Sequence, residues 1–328
     1  MFDIVSVGEI LIDFTPCGVN LQGIPLFAQN PGGAPANVLA MNSKLGGKSA
    51  FIGKIGKDSF GSFLEATLKN TSIDTTGLVV DLEIPTTLAF VHLNEAGDRS
   101  FTFYRKPGAD VNLSTKEVKK ELIDDCKLFH FGSVSLTDAP SRTATLDAAS
   151  YGKKQGKIIS FDPNYRPPIW ETEETAIEWI SHSIALADIL KISEEEMLLI
   201  TKESDIEHGS KLLLDMGPKA VFVTLGKNGA YYRNSCCNGA CPTYKMNTID
   251  TTGAGDAFMG TVLWQLKDKT REELSTMDLK DIVEFANAAG SLTTTRKGAI
   301  PALPCYDEIK QCVEKGEHEI YIPPLIRS

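Results

Sequence analysis

The sequence predicts an α/β fold: a mostly parallel sheet covered by helices on both faces, with a small β-strand lid. Short apolar runs typical of buried strands alternate with stretches of helical periodicity along most of the 328 residues. A β-branched and aromatic stretch at 86–105 interrupts that alternation. Because no repeat, low-complexity tract or Pro/Gly-rich linker divides the chain, we expect a single domain over residues 1–328.

The main sheet is expected from short apolar runs, since strands buried on both faces show little alternation. These runs lie at 4–7, 49–55, 128–131, 158–162, 189–192 and 220–225. Helical spacing of apolar residues predicts helices at 37–45, 60–68, 143–154, 175–187, 257–266 and 282–292. Repeated strand–helix units imply a parallel sheet. A further strand is expected near 245–249, and a docking helix around 306–313.

The lid is expected from two segments of the chain. Residues 86–93 and 100–105 are rich in β-branched and aromatic side chains, and the polar stretch 94–99 joins them. That pattern predicts an antiparallel hairpin rather than a crossover. The irregular stretch 14–28 is expected to supply further lid strands. We therefore place the lid segments near 13–30 and 86–105.

The composition narrows the function classes. There are 33 basic and 43 acidic residues, a net charge of −10, which argues against nucleic acid or an anionic membrane as the main partner. No apolar run approaches the ~20 residues that span a bilayer. The first residues also lack the basic and apolar regions of a signal peptide, so a cytoplasmic location is expected. The clustered Cys236, Cys237 and Cys241 lack the spacing of a zinc set.

The strongest chemical signal is the segment 250–258, DTTGAGDAF, which leads into an apolar helix. Gly253, Ala254 and Gly255 let the backbone approach a ligand closely, and a helix start offers N–H groups and the positive end of the dipole to a phosphate. Asp256 at this position could take a proton from an attacking hydroxyl. Alternatively, Asp256 is only an acid that the helix dipole favours in a first turn. Spacing alone leaves both interpretations open.

A second signal is the segment 30–37, NPGGAPAN, which also precedes a helix. Two glycines and Asn37 would place N–H groups and an amide against a polar ligand, or they form an ordinary turn and helix cap. Asp13 follows the first strand, where ligands bind in open α/β sheets, although a lone acid there is more often a loop residue. The dinucleotide fingerprint G-x-G-x-x-G and the G-x-S-x-G elbow are both absent.

Together the two motifs resemble those of the ribokinase-like (pfkB) carbohydrate kinase family, nearest to its fructokinase branch. The resemblance extends over residues 3–305, and its specific parts are the segments 32–37 and 250–256. The stretches 51–58, 103–105, 161–166 and 224–230 agree with it.

That resemblance implies roles for individual residues. Asp256 is expected to be the base that activates a sugar hydroxyl, with Gly253, Ala254 and Gly255 as the anion hole for the transferred γ-phosphoryl group. The family's sugar-binding positions are matched by Asp13, Gly32, Gly33 and Asn37. Arg105 and Arg166 match residues that close over the sugar or reach toward phosphate.

The resemblance also implies nucleotide and cation sites. The nucleotide-binding turn is matched by Thr224, Gly226 and Gly229, and Asn287 lies where the family borders the adenine. A potassium site is matched by Asp250 and Thr252, completed by carbonyls near Thr293 and Gly298. Glu196 is the candidate for holding magnesium through water, with Ser193 in place of the family's usual amide.

The favoured hypothesis is an ATP-dependent kinase that uses magnesium and potassium to convert D-fructose to D-fructose 6-phosphate. A 2-keto-3-deoxygluconate kinase is the main alternative, since the carboxylate of that acceptor could pair with Arg105 or Arg166. Other sugar or nucleoside kinases of the family remain open. Intact motifs at both ends disfavour a non-catalytic sugar sensor or a scaffold. A homodimer through the 86–105 hairpin is also expected.

Overall fold

The structure, a computed structural model, describes residues 1–93 and 99–318. Its strands are β1 (Phe2–Val7), β2 (Leu11–Val19), β3 (Pro25–Gly32), β4 (Ser49–Gly56), β5 (Ile73–Asp81), β6 (Leu88–Leu93), β7 (Arg99–Tyr104), β8 (Cys126–Gly132), β9 (Ile158–Asp162), β10 (Ile189–Ser193), β11 (Ala220–Thr224), β12 (Ala230–Arg233) and β13 (Asn238–Cys241). Its α-helices are α1 (Ala34–Lys44), α2 (Ser59–Asn70), α3 (Lys120–Asp124), α4 (Ser141–Lys154), α5 (Glu173–Leu186), α6 (Glu194–Thr201), α7 (Ile206–Asp215), α8 (Ala254–Leu266), α9 (Arg271–Thr276), α10 (Lys280–Thr293) and α11 (Tyr306–Lys315).

The main sheet has the order β13-β12-β11-β10-β9-β8-β1-β4-β5 within the described residues. Its pairs are parallel from β5 to β11, and the β11–β12 and β12–β13 pairs are antiparallel. The mostly parallel sheet expected from the sequence is therefore confirmed. Every strand predicted for it is present except the one near 245–249.

The prediction of a strand at 245–249 is wrong. Tyr244 forms an isolated bridge with His318, and the N–H of Lys245 donates to the Glu317 carbonyl. The N–H of Ile249 donates to the carbonyl of Thr294, just after α10. The backbone of this segment is thus hydrogen-bonded to residues 317–318 and to Thr294, which follows α10. It therefore does not pair with a strand of the main sheet.

Helices cover both faces of the main sheet because strand side chains alternate between two cores. On one face, Ile4 of β1 packs in a core with buried residues of α1, α8, α10 and α11. On the other face, Val5 and Val7 pack in a core with residues of α4, α5, α6 and α7. This arrangement brings the first turns of α1 and α8 to one face, and these two helices pack on each other.

The predicted hairpin and further strands form a separate small sheet in the order β3-β2-β6-β7. The β2–β3 and β6–β7 pairs are antiparallel, and β2–β6 is parallel. Asp58, the N-cap of α2, ties this sheet to the body because its carboxylate accepts hydrogen bonds from the N–H and hydroxyl of Thr86. Residues 94–98, within the segment 94–99 expected to join the two hairpin strands, lie outside the described residues. No described helix is long and apolar enough to cross a bilayer.

Candidate active site

Two cavities meet at the start of α8. One, of about 340 Å³, is lined by residues of both sequence motifs, and the second is about 390 Å³. Thr251 and Gly255 line both cavities. The two cavities therefore adjoin at the backbone where the sequence predicted an anion site.

Asp256 lies at the floor of the first cavity with only 7% of its surface exposed. Its Oδ2 accepts a hydrogen bond of 2.8 Å from Nδ2 of Asn37, a residue 219 positions earlier in the chain. Its Oδ1 accepts one of 3.2 Å from Nδ2 of Asn164, which has a left-handed backbone (φ 49°). Two amides thus fix the orientation of one carboxylate, and the two motifs share a single cleft.

Helix α8 begins at a left-handed glycine, and its first N–H, that of Ala254, donates to the carbonyl of Thr251 at 3.3 Å. Its N-cap is Gly253, with φ 78° and no capping side chain. A Cβ at Gly253 would lie 2.6 Å from the Cβ of Ala299, so neither the backbone nor the space suits another residue. The helix start directs its N–H groups and the positive end of its dipole toward the cavities, as an anion site requires.

Helix α1 begins at Ala34, three residues before the start predicted from Asn37. Its N-cap is Gly33, with φ 113°, and a Cβ there would clash with the carbonyl of Glu9. The N–H of Ala34 donates to Oε1 of Glu9 at 3.0 Å. Asn37 is therefore inside the helix rather than its cap, and its Oδ1 is buried with no hydrogen-bond partner among the described residues.

Asp13 lies on β2 and lines the first cavity. A Cβ on Gly32 would clash with the Asp13 carboxylate, which explains the glycine at that position. Burial raises the pKa of Asp13 to about 7; Arg166 lowers it, and Asp256 raises it further. Asp13, Gly33, Asn37 and Arg166 all line the first cavity, and Gly32 lies directly beneath Asp13.

The structure does not place Arg105 in this cavity, contrary to the expectation of a residue that closes over the sugar. Arg105 follows the end of β7 and is 5% exposed. Its guanidinium pairs with Asp110 at 2.7 Å and donates to the hydroxyl of Thr137 and the carbonyl of Val134. Because its donors are directed at these three partners, Arg105 braces the wall behind the cavity.

Sequence reasoning missed two charged residues of the cavity, Glu9 and Lys191. Glu9 follows the first strand immediately, and Lys191 interrupts an apolar strand, where a lysine needs a buried partner. Each of these positions in the sequence indicates a residue at the site. Burial raises the pKa of Glu9 to about 7, against the lowering effects of backbone N–H donors and Arg105.

The second cavity is lined by all four residues predicted to bind the nucleotide, which are Thr224, Gly226, Gly229 and Asn287. Nδ2 of Asn287 donates to the carbonyls of Cys241, the last residue of β13, and Pro242. Ala254, Phe258 and Gly290 complete the side nearest α8. A ligand in this cavity would reach the N-terminus of α8 from the side opposite to Asp13.

The residues predicted to hold cations have their oxygens oriented by the backbone. Oδ1 of Asp250 accepts from the N–H and hydroxyl of Thr252, and Oδ2 accepts from the N–H of Gly298. Glu196 accepts from the N–H of Tyr165 at 2.6 Å and from that of Ser193 at 2.8 Å. The described residues contain no group of three or more His, Cys, Asp or Glu side chains suited to a metal. A single carboxylate still suits Mg²⁺, which keeps several waters when it binds beside phosphates.

Comparisons with known proteins agree with this geometry. The chain is 44% identical over 319 residues to fructokinase-1 of Zea mays, covering 95% of this chain and 98% of that protein. A fructokinase of Xylella fastidiosa with bound ATP has the same fold, with a TM-score of 0.87, 31% identity, and coverage of 96% and 99% of the two chains. A fructokinase double mutant of Vibrio cholerae O395, bound to fructose, ADP and potassium ion, has a TM-score of 0.85 and 34% sequence identity to this chain. The match covers 94% of this chain and 98% of that chain.

The profile of the pfkB family carbohydrate kinases matches residues 1–305. That match includes both motifs and every residue of the two cavities. The chain belongs to the pfkB family of carbohydrate kinases.

Proposed function

We propose that this kinase transfers the γ-phosphoryl group of ATP to the primary hydroxyl of D-fructose, forming D-fructose 6-phosphate. The observation that carries the proposal is the hydrogen bond between Asn37 and Asp256, because it joins the two motifs at the wall between two adjoining cavities. The first cavity would hold the sugar and the second the nucleotide. The fructokinases similar to this chain favour fructose as the acceptor.

Asp256 acts as the general base in this proposal. Its carboxylate takes the proton of the sugar hydroxyl as the new bond forms between that oxygen and the γ-phosphorus. The bond between the γ-phosphorus and the bridging oxygen of ATP breaks, and ADP leaves with that electron pair. The backbone N–H groups of Gly253, Ala254 and Gly255 stabilise the charge of the transferred group in this proposal, with that of Ala254 shared with the carbonyl of Thr251.

The sugar is held by Asp13, Gly32, Gly33, Asn37 and Arg166 in this proposal. Carboxylate and amide oxygens accept hydrogen bonds from sugar hydroxyls, and the buried Oδ1 of Asn37 has that capacity. The small sheet, with its segments near 13–30 and 86–105, acts as the lid that excludes water and prevents hydrolysis of ATP. Arg105 supports that lid through Asp110 rather than touching the sugar.

Thr224, Gly226, Gly229 and Asn287 bind the nucleotide. Glu196 would orient waters around magnesium, which would neutralise charge on the phosphates. Potassium would be held by Asp250, Thr252 and carbonyls near Thr293 and Gly298, and its charge would add to the positive field near the anion hole. The prediction for potassium agrees with the ion bound in the Vibrio cholerae fructokinase.

A panel of sugars tests the acceptor. The purified protein is incubated with ATP, Mg²⁺ and potassium, and ADP formation is measured with fructose, ribose, 2-keto-3-deoxygluconate and a nucleoside. We expect kcat/KM to be highest for fructose. A preference for 2-keto-3-deoxygluconate would mean that Arg166 pairs with an acceptor carboxylate, because Arg105 is already paired. Sugar binding without turnover on any acceptor would instead indicate a sensor.

The chain forms one domain and a homodimer through the 86–105 region in this proposal. Large apolar side chains are exposed on and beside the small sheet, including Leu21, Phe27 and Tyr104, at 102%, 41% and 63% exposure. Exposed apolar patches of this kind mark association surfaces. Light scattering at micromolar concentration measures the mass, and a monomer would reject the dimer. The cytoplasmic location stays a prediction of the sequence.

A further inference from the structure

Lys191 is a buried lysine whose position the proposed mechanism does not yet use. It lies on β10 and is 6% exposed. Its Nζ donates to both carboxylate oxygens of Asp162 on the neighbouring β9, at 2.9 and 3.2 Å. A buried ammonium needs such a partner, so Asp162 explains how the charge is tolerated. It does not explain why a charge is present there.

The location of Lys191 points to a ligand. It lines the first cavity together with Gly255 and Asp256. A Cβ on Gly255 would lie 3.0 Å from the Nζ of Lys191. Gly255 does not have a left-handed backbone, so the glycine here provides space rather than conformational freedom. The ammonium and the first turn of α8 therefore border the same small volume.

The surrounding charges keep Lys191 protonated. Burial alone lowers the pKa of this lysine, but Asp162, Glu196 and Asp256 raise it above its ordinary value. His130 is the other titratable group near it, and burial followed by the charge of Lys191 lowers the pKa of His130 to about 3. The histidine is therefore neutral, and its Nδ1 is hydrogen-bonded to Ser160. A fixed positive charge thus stands beside the general base and the anion hole.

We propose that the Lys191 ammonium contacts the phosphoryl group as it passes from ATP to the sugar. This inference rests on the proposed kinase reaction and adds a second source of charge stabilisation to the backbone of α8. A phosphoryl group in transit spreads negative charge over three oxygens, and a compact ammonium matches one of them. Asp162 holds the ammonium in place, so no reorganisation is needed during the transfer.

The competing explanation is that Lys191 is only the counter-ion of Asp162. The chain offers a matched control in Lys54, which is 8% exposed and pairs with Asp81 and Glu117, each at 2.9 Å. None of these three residues lines either cavity. A purely structural role predicts that Lys191→Met and Lys54→Met have the same effect, namely lower stability and unchanged turnover.

The experiment measures kcat, KM and the thermal midpoint of the parent, Lys191→Met, Lys191→Arg and Lys54→Met. A double variant, Lys191→Met with Asp162→Asn, avoids leaving a buried charge unpaired if the single variant folds poorly. We expect kcat to fall about 10²–10³-fold in Lys191→Met and in the double variant, with the KM for fructose changed less than about threefold. Lys191→Arg should recover part of kcat, and Lys54→Met should retain it.

A binding measurement adds a readout that a structural role would not move. In the presence of fructose, affinity for ADP with fluoroaluminate should fall much more in the double variant than affinity for ADP alone, since only the fluoroaluminate imitates the transferred group. Equal losses, or a double variant with the parent's kcat, would overturn the inference while the proposed function stands. If another sugar replaces fructose in the panel, the same ratios are taken with that sugar. A parent without kinase activity on any sugar would overturn both.

Discussion

Helices α1 and α8 both begin at a glycine N-cap with positive φ, but ψ differs, at 114° for Gly33 and −1° for Gly253, and the two helix starts serve different chemistry. Neither helix has a capping side chain at that residue. In α1 the first N–H donates to the carboxyl of Glu9. In α8 the first N–H, that of Ala254, donates instead to the carbonyl of Thr251 at 3.3 Å, and the N-terminus faces two cavities.

The comparison shows that a glycine N-cap can serve either structure or catalysis. A helix start offers unpaired N–H groups to acceptors, and in α1 the protein supplies one acceptor itself, the carboxyl of Glu9. In α8 the place is left for the phosphoryl group of a substrate. The two helices pack so closely that a Cβ on Gly260 of α8 would lie 2.6 Å from the carbonyl oxygen of Val38 in α1. Asn37 can therefore reach from one helix start to Asp256 at the other.

The largest effect is expected from Asp256→Asn, which removes the base but keeps the shape of the α8 start. Turnover should fall by about 10²–10⁴-fold because a neutral amide takes no proton from the sugar. Affinity for fructose, measured by calorimetry, should stay within about threefold. Sugar binding involves no proton transfer, and Asn37 and Asn164 remain in place beside residue 256. If the variant keeps the parent's kcat, Asp256 is only a first-turn acid like those of other helices.

Replacing each N-cap glycine by alanine should affect a different kinetic constant in the two helices. Gly253→Ala should lower kcat by about 10²–10³-fold, because it displaces the anion hole. Gly33→Ala should raise the KM for fructose by about tenfold and change kcat less, because the turn it distorts borders the sugar cavity.

Gly156→Ala is the matched control for this pair. Gly156 has the same left-handed φ of 78° as Gly253, and no atom lies within 4 Å of its added Cβ. It should lose stability through backbone strain, on the order of 1 kcal/mol, with both kinetic constants retained. Identical kinetics for Gly33→Ala and Gly253→Ala would remove the distinction between a structural and a catalytic helix start.

The raised pKa of Asp13, which lines the sugar cavity, predicts that the KM for fructose and the free energy of unfolding depend on pH. Burial raises its pKa from 3.8 to about 7. If only the carboxylate binds sugar, the KM for fructose should rise about tenfold per pH unit below 7. Folded protein holds a proton between pH 4 and 7 that the unfolded chain releases, so this group lowers the free energy of unfolding as pH rises through that window. Asp13→Asn should lack the KM dependence and show a weaker stability dependence, because Glu9 still titrates in the same window. A KM profile in that variant that is parallel to the parent's would contradict the assignment.

The parts that the sequence predicted correctly depend on local pattern. Apolar runs located the parallel strands, and the β-branched stretch located the hairpin. Glycine-rich segments before helices located Gly253 and Asp256, since a close backbone approach needs small residues wherever the chain later folds.

The parts that could not be predicted depend on partners distant in sequence. Lys191 and Asp162 are 29 positions apart, and Arg105 meets Thr137 across 32. Arg105 is only five positions from Asp110, but either a substrate or Asp110 could have paired with the arginine. Only the packing of Val134 and Thr137 against it decides between them.

The smallest effect is expected at Glu9, the residue whose carboxyl accepts the first N–H of α1. Glu9→Gln keeps an oxygen acceptor for the Ala34 N–H, whereas Glu9→Ala leaves that N–H without it, which should lower the free energy of unfolding by about 1–3 kcal/mol. Burial raises the pKa of Glu9 from 4.5 to about 7, so ionisation of this group destabilises the parent as pH rises from 4.5 to 7. Glutamine lacks that penalty, so Glu9→Gln should gain stability relative to the parent across this window and hold the gain above pH 7. Urea unfolding at several pH values measures this difference in the free energy of unfolding.

The kcat of Glu9→Gln should stay within about threefold of the parent's. A folded Glu9→Gln with a hundredfold lower kcat would mean that Glu9 acts on the substrate, and α1 would then be a second catalytic helix start rather than the structural counterpart of α8.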